Sequence, residues 1–232
     1  MIKAVIFDID NTLYSYDAAH EPAMEAVWAY ARKHLDMEPE ALTEEIKKAA
    51  ADLNRRLDAD CASQHNRTLR FQVMLERNKL PLIHAAPMGE LYWDTLLRHA
   101  QASPGSLECL KKLKAKGYIL GIGTDMTIEY QLKKLEKLRM LPLIDFIVSS
   151  EEANVEKPHG KLFSICAEKA GVSPRECLFI GDSLKKDVLG PRAIGMHSLW
   201  YCPDPKKARM HPEIEILTHY DRLEEWLDKC KM

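Results

Sequence analysis

The chain has 232 residues, of which 46% are hydrophobic and 29% charged, with 33 basic and 35 acidic side chains and a formal net charge of −2. This composition suits a soluble globular protein with one large domain, or a core domain carrying an inserted one. The near-neutral balance excludes bulk attraction to a nucleic-acid polymer or an anionic membrane, and no apolar run reaches membrane-spanning length.

The first element is a short apolar run, Ala4-Val5-Ile6-Phe7, that predicts a buried strand. It ends in two carboxylates, Asp8 and Asp10, followed by the turn-like Asn11-Thr12. Alternation along extended backbone lets the two acids share a face. From about residue 17 to residue 100 the pattern becomes helical. Glu21-Pro22 reads as a helix start, with Ala23, Ala26, Val27, Tyr30 and Ala31 on one face. Glu38-Pro39-Glu40 starts a second helix through Leu42, Ile46, Ala49, Leu53 and Leu57. Residues 69–80 and 88–99 predict two more, broken around Pro81 and Pro87.

Ser103-Pro104-Gly105 closes the helical block, and α/β alternation follows. Strands are expected at 118–123, 145–148, 177–180 and 196–201. Helices are expected at 106–115, 127–138, 161–170, 186–193 and 223–229. Strands spaced by helices imply an α/β, Rossmann-like parallel sheet, and in such a sheet ligands bind outside the carboxyl ends of the strands. The six cysteines (Cys61, Cys109, Cys166, Cys177, Cys202, Cys230) are scattered without a C-x-x-C spacing. That pattern predicts reduced thiols rather than disulfides or a zinc site. No basic segment with a signal-peptide core opens the chain, so a cytoplasmic location is expected.

The strand ends carry Asp8 and Asp10, then Thr124, then Lys157 before Pro158, then Gly181-Asp182-Ser183 with Asp187 four residues further on. Four carboxylates at one rim repel, and a divalent cation relieves that; oxygen donors without a His pair or Cys favour Mg²⁺ over zinc. A cation, a lysine and a hydroxyl together suit a phosphate dianion.

This ordered set, D-x-D-x-T, a Thr after the second core strand, a Lys before Pro and G-D-S-x-x-x-D, resembles the haloacid dehalogenase superfamily of phosphohydrolases. Residues 2–14 and 104–201 carry the resemblance. It implies a catalytic core at 1–16 and 101–232, with an inserted helical cap at 17–100. It also implies a Mg²⁺-dependent phosphatase acting through an aspartyl-phosphate. Asp8 matches the nucleophile and a metal ligand. Asp10 matches the acid/base and a metal ligand through its carbonyl. Thr124 and Lys157 match the phosphoryl-binding catalytic pair, Asp182 a metal ligand and Asp187 a supporting carboxylate. The family commonly has Asn where this chain has Asp125, so Asp125 must turn away from the phosphate or meet a cation. Asp10 favours phosphate esters over halides, because an alkoxide needs a proton to leave.

The implied substrate is a small phosphate ester, a nucleoside monophosphate or sugar phosphate, acted on by a monomer or homodimer with no membrane or nucleic-acid partner. A phosphomutase or a non-catalytic regulatory protein on the same fold is the alternative. In the helical block, Arg55, Arg56, Arg67, Arg70 and His65 are candidates to reach a leaving group, with a solvated helix face the plainer expectation. Tyr14 is a hinge or substrate residue. Trp28, Trp93 and Met74 are expected in the core of the block. Lys111-Lys112, Lys133-Lys134 and Lys185-Lys186 are expected on exposed faces.

Overall fold

The structure is a computed structural model and describes residues 1–57 and 61–229; the Cys230 thiol lies outside the described residues. In chain order the elements are β1 (Ala4–Phe7), α1 (Tyr16–Leu35), α2 (Pro39–Arg56), α3 (Arg67–Arg77), α4 (Ala85–His99) and α5 (Ser106–Ala115). Then come β2 (Ile119–Thr124), α6 (Ile128–Lys137), β3 (Phe146–Ser149), α7 (Ser150–Ala153), α8 (Gly160–Ala170) and β4 (Cys177–Gly181). A π-type turn (Leu184–Leu189), α9 (Gly190–Arg192), β5 (His197–Tyr201), α10 (Pro205–Arg209), β6 (Ile216–Leu217) and α11 (Leu223–Lys229) complete the chain.

The six strands form one parallel sheet in the order β3-β2-β1-β4-β5-β6. β1 lies between β2 and β4, with Phe7 in register with Ile122 on one side and Ile180 on the other. Its residues alternate between two cores. Val5 and Phe7 join the larger cluster, and Ala4 and Ile6 join a second one with Leu162, Phe163 and Cys166 of α8. Both faces of the sheet are therefore covered, and the strand reads as continuously apolar because neither side meets water. The chemistry-bearing residues follow at the carboxyl ends of these strands.

The helical block between β1 and β2 pairs α1 with α4 and α2 with α3. Ala19, Ala23, Val27, Ala31 and Leu35, four residues apart, form the buried stripe of α1. Opposite them α4 buries Met88, Tyr92, Trp93 and Leu96. The helix begins at Tyr16, well before the expected start at Glu21-Pro22. The reason is local. Asn11 stands in the left-handed region at φ 56°, a conformation Asn tolerates. Its Oδ1 accepts from the amides of Tyr16 at 2.9 Å and Asp17 at 3.3 Å. Those first-turn donors are satisfied from outside the helix, and Pro22 ends up inside it.

Two further differences lie near the rim. The expected helix at 186–193 is the wide π-type turn followed by the single turn α9. Ser183 and Asp187 bond each other reciprocally there, the Ser183 amide donating to Asp187 Oδ2 at 2.9 Å and the Asp187 amide to the Ser183 carbonyl at 2.7 Å. β6, only two residues long, carries too little pattern for periodicity to detect. Among the described residues no helix is long and apolar enough to cross a membrane, and Cys61, Cys109, Cys166, Cys177 and Cys202 are free.

Candidate active site

Asp8, Asp10, Thr124, Lys157, Asp182 and Asp187 converge on one cavity of about 210 Å³ above the ends of β1, β2 and β4. Asn11, His65, Asp125, Ser183 and Lys186 also line it. The sequence-predicted set is thus brought together, although its members face different partners.

Asp8 belongs to a buried charge cluster. Lys157 Nζ lies 2.8 Å from Asp8 Oδ1 and 2.7 Å from Asp187 Oδ1, with the lysine side chain only 2% exposed. Burial pushes the Asp8 carboxyl up to about 8; Lys157 opposes that, while Asp187, Asp182 and Asp10 reinforce it. Asp182 rises to about 6, from burial and then from Asp187. Burial disfavours the Lys157 ammonium, but Asp187 and Asp8 outweigh it and hold that group well above the ordinary lysine value.

Asp8, Asp182 and Asp187 each present a carboxylate oxygen within 4.8 Å of the others. Three hard oxygen donors, two of them pushed upward by burial and by the neighbouring carboxylates, fit a divalent cation of the Mg²⁺ type. Asp187, expected only as a support, stands in this cluster by geometry. Its approach depends on Gly181: a Cβ added there would lie 2.4 Å from Asp187 Cγ and Oδ2. Trp200 Nε1 donates to the Asp182 carbonyl at 2.7 Å and fixes that backbone.

Asp10 shares the cavity but its carboxylate has separate partners. Lys134 Nζ is 2.6 Å from Oδ1, the Tyr14 hydroxyl donates to Oδ1 at 2.5 Å, and Gln131 Nε2 is 3.4 Å from Oδ2. Burial alone would raise Asp10, but Lys134, Tyr14 and Gln131 outweigh it and hold the carboxyl below the ordinary value. Gln131 also donates to Thr124 Oγ1 at 2.7 Å and to the Asp125 carbonyl at 2.8 Å, tying the ends of β1 and β2 together.

Lys134 corrects the expectation that Lys133-Lys134 is an exposed pair. Lys133 is solvent-facing, but Lys134 has no exposed surface. The signal was in the helical phase. Gln131, Lys134 and Leu135 share the buried face of α6, so Lys134 sits on its inward stripe. Lys186 corrects the same reading of Lys185-Lys186. Its Nζ is 2.8 Å from Asp125 Oδ2 and 3.5 Å from Glu156 Oε2, and its side chain is half-buried in the cavity wall. Asp125 therefore meets a cation, and its other oxygen accepts from the Lys157 amide at 2.9 Å. The departure from Asn is accommodated inside the protein.

The helical block reaches the cavity through the single-turn segment Ala62–His65. His65 Nε2 is 2.7 Å from Glu156 Oε1, a close approach without an aligned hydrogen bond. Arg67 is not on a solvated face. It donates to the Tyr16 hydroxyl and stands 4.9 Å from the Tyr92 ring centroid. Tyr14 is fully buried and bonded to Asp10, which makes it a brace of that carboxylate. Trp93 and Met74 are buried in the block as expected, and Trp28, partly buried, packs against the core and bonds Thr43 at 3.1 Å.

A family model for haloacid dehalogenase-like hydrolases matches residues 2–195. The chain is 32% identical over 240 residues to a glyceraldehyde 3-phosphate phosphatase of Methanopyrus kandleri, covering 98% of this chain and 97% of the relative. It is 29% identical over 212 residues to a ribulose-1,5-bisphosphate 5-phosphatase of Halopiger xanaduensis, covering 88% and 86%. Among solved structures it resembles a HAD phosphatase from Thermococcus onnurineus, with TM-score 0.75 and 25% identity over 97% of this chain and 98% of that one.

Proposed function

The chain belongs to the haloacid dehalogenase-like hydrolases and is a phosphatase, and from that premise we propose that it dephosphorylates a small metabolite through an aspartyl-phosphate on Asp8, with Mg²⁺. The observation that carries this reading is the separation of the two acids. Asp8 is paired with Lys157, while Asp10, two residues on, is braced by Lys134, Tyr14 and Gln131. One carboxylate is set to attack and the other to move protons.

In this mechanism Asp8 attacks phosphorus as the P–O bond to the alcohol breaks, and Asp10, ionised beside Lys134 in the free protein, takes up a proton as the phosphate binds and gives it to the departing oxygen. Asp10, then ionised, takes a proton from the water that cleaves the acyl phosphate and frees Asp8. Thr124 and Lys157 hold the phosphoryl oxygens, and Lys157 offsets the Asp8 charge as the dianion arrives. Asp8 and Asp182, with the Asp10 carbonyl and with Asp187 beside them, would hold a divalent cation, which would supply the remaining charge neutralisation. Residues 17–100 act as the cap over this site and residues 1–16 and 101–232 as the catalytic core, in a cytoplasmic enzyme.

The substrate reading is a sugar phosphate or nucleoside monophosphate. Its support is the small cavity at the strand ends, which takes a phosphoryl group, and the phosphorylated sugars named in the two relatives. Phosphate release should be measured from p-nitrophenyl phosphate, glyceraldehyde 3-phosphate, ribulose 1,5-bisphosphate and nucleoside monophosphates, with and without Mg²⁺. Turnover that requires Mg²⁺ and vanishes in a folded Asp8→Asn variant is expected. Turnover unaffected by chelator, or phosphate transfer that needs a bisphosphate activator and releases little phosphate, would overturn the proposal.

A further inference from the structure

Arg67 and Arg70 stand three residues apart on the first turn of α3, on one face of the helix. Their polar partners among the described residues are all neutral. Arg67 donates to the Tyr16 hydroxyl and lies against the Tyr92 ring, while its Nε is buried without a hydrogen-bond partner. Arg70 donates through Nε, at 2.8 Å, and through Nη2 to the Gln64 carbonyl. Three other arginines of the block are compensated: Arg55 and Arg77 pair with Asp52, and Arg32 with Glu38.

Two like charges, largely buried and without a carboxylate in contact among the described residues, are costly unless an anion completes the set. Burial and then the Arg67 cation pull Arg70 down to about 10, the direction an anion would reverse.

The pair lines one cavity and is tied by contacts to a second. One, of about 320 Å³, is lined by both arginines with His20, Thr43 and Lys47. The other is the catalytic cavity, and several contacts lead to it. Arg70 holds the carbonyl of Gln64, the residue before His65, which lines that cavity. Arg67 holds Tyr16, whose ring centroid is 5.9 Å from Lys134 Nζ, the partner of Asp10.

We infer that Arg67 and Arg70 bind a second anionic group, a carboxylate or phosphate at the far end of the small molecule whose phosphate is removed at Asp8. This rests on the phosphatase reading above and narrows it to substrates anionic at both ends. Guanidinium forks suit either anion, so the experiment separates them.

The test compares kcat/KM for ribulose 1,5-bisphosphate and 3-phosphoglycerate with kcat/KM for glyceraldehyde 3-phosphate and p-nitrophenyl phosphate, which lack the second anion. In the wild-type protein at least one doubly anionic substrate should exceed glyceraldehyde 3-phosphate by about 10- to 100-fold, the worth of charge-assisted hydrogen bonds. Arg70→Met should collapse that ratio, and Arg67→Lys, which keeps the charge, should lower it less. Whichever of the two doubly anionic compounds shows the effect identifies the anion. An unchanged ratio in Arg70→Met, or equal losses on all four compounds, would overturn the inference; equal losses would show that Arg70 only anchors the Gln64 turn. Calorimetric binding to Asp8→Asn, with and without Arg70→Met, keeps the two proposals apart. If the wild-type protein hydrolyses none of the compounds, the phosphatase reading fails by itself. Binding of either doubly anionic compound that weakens at least tenfold on adding Arg70→Met would still uphold the arginine site, and binding that does not weaken, or is undetectable, would reject it.

Discussion

Lys134 Nζ lies 2.6 Å from Asp10 Oδ1, and the lysine side chain has no exposed surface. A buried ammonium whose partner is a carboxylate at the cavity is costly to disturb, because removing either member leaves the other charge uncompensated. Lys134→Met should therefore lose about 3 kcal/mol or more of unfolding free energy in urea titration. Lys134→Met/Asp10→Leu should lose less than the sum of the two single changes. Additive losses would show that the two residues do not interact energetically.

The role of Asp10 is read through the leaving group. Asp10→Asn should lower turnover of an alkyl phosphate by about 10² to 10⁴, the usual worth of a positioned proton carrier. The loss should be much smaller for the first step on p-nitrophenyl phosphate, whose phenolate departs without a proton. Burst-phase kinetics resolve that step. Equal losses on the two substrates would assign Asp10 to structure.

Stability without a metal should depend on pH in a set direction. Burial raises Asp8 to about 8 and Asp182 to about 6. A carboxyl with a raised folded value favours the folded state while protonated. Its contribution is present below the ordinary carboxylate range, near pH 4, and is lost as the pH rises through about 6 for Asp182 and about 8 for Asp8. A divalent cation displaces those protons. The rise in Tm on adding Mg²⁺ should therefore grow between pH 5 and pH 8, and calorimetry should record proton release on binding. A Tm increment that is flat with pH would contradict the carboxylate cluster as its origin.

Gly181 gives a steric prediction. A Cβ at this position would lie 2.4 Å from the Asp187 carboxylate, inside contact distance. Gly181→Ala should cost about 1–3 kcal/mol in chemical denaturation, as overpacked sites do, and should shrink the Mg²⁺-dependent rise in Tm. Retention of both would mean that Asp187 has room to move and is not held in place by the glycine.

Much of this was legible in the chain, for physical reasons. β1, β2 and β4 are buried on both faces, so they appear as apolar runs, and the acids just past them fall at the rim by topology alone. What stayed hidden depended on side chains reaching across elements. Lys134 looks like its neighbour Lys133 unless the phase of α6 is taken from Gln131 and Leu135. Lys186 lies in a π-type turn beside the Ser183–Asp187 reciprocal bonds, an arrangement that spacing does not reveal. The early start of α1 came from the Asn11 side chain, five residues before the helix begins.

The two crossings between the helical block and the sheet run side by side. Tyr14 bridges Ala102, the Ser103 amide donates to the Leu13 carbonyl at 2.9 Å, and Ser103 Oγ donates to the Thr12 carbonyl at 2.8 Å. Tyr220, from the far end of the chain, donates to the same Thr12 carbonyl at 3.0 Å. An insertion whose ends leave the host at adjacent points can be lengthened, exchanged or shortened without straining the sheet. The adjacent crossings therefore let α1 to α4 vary in length while the acids at the tip of β1 keep their setting.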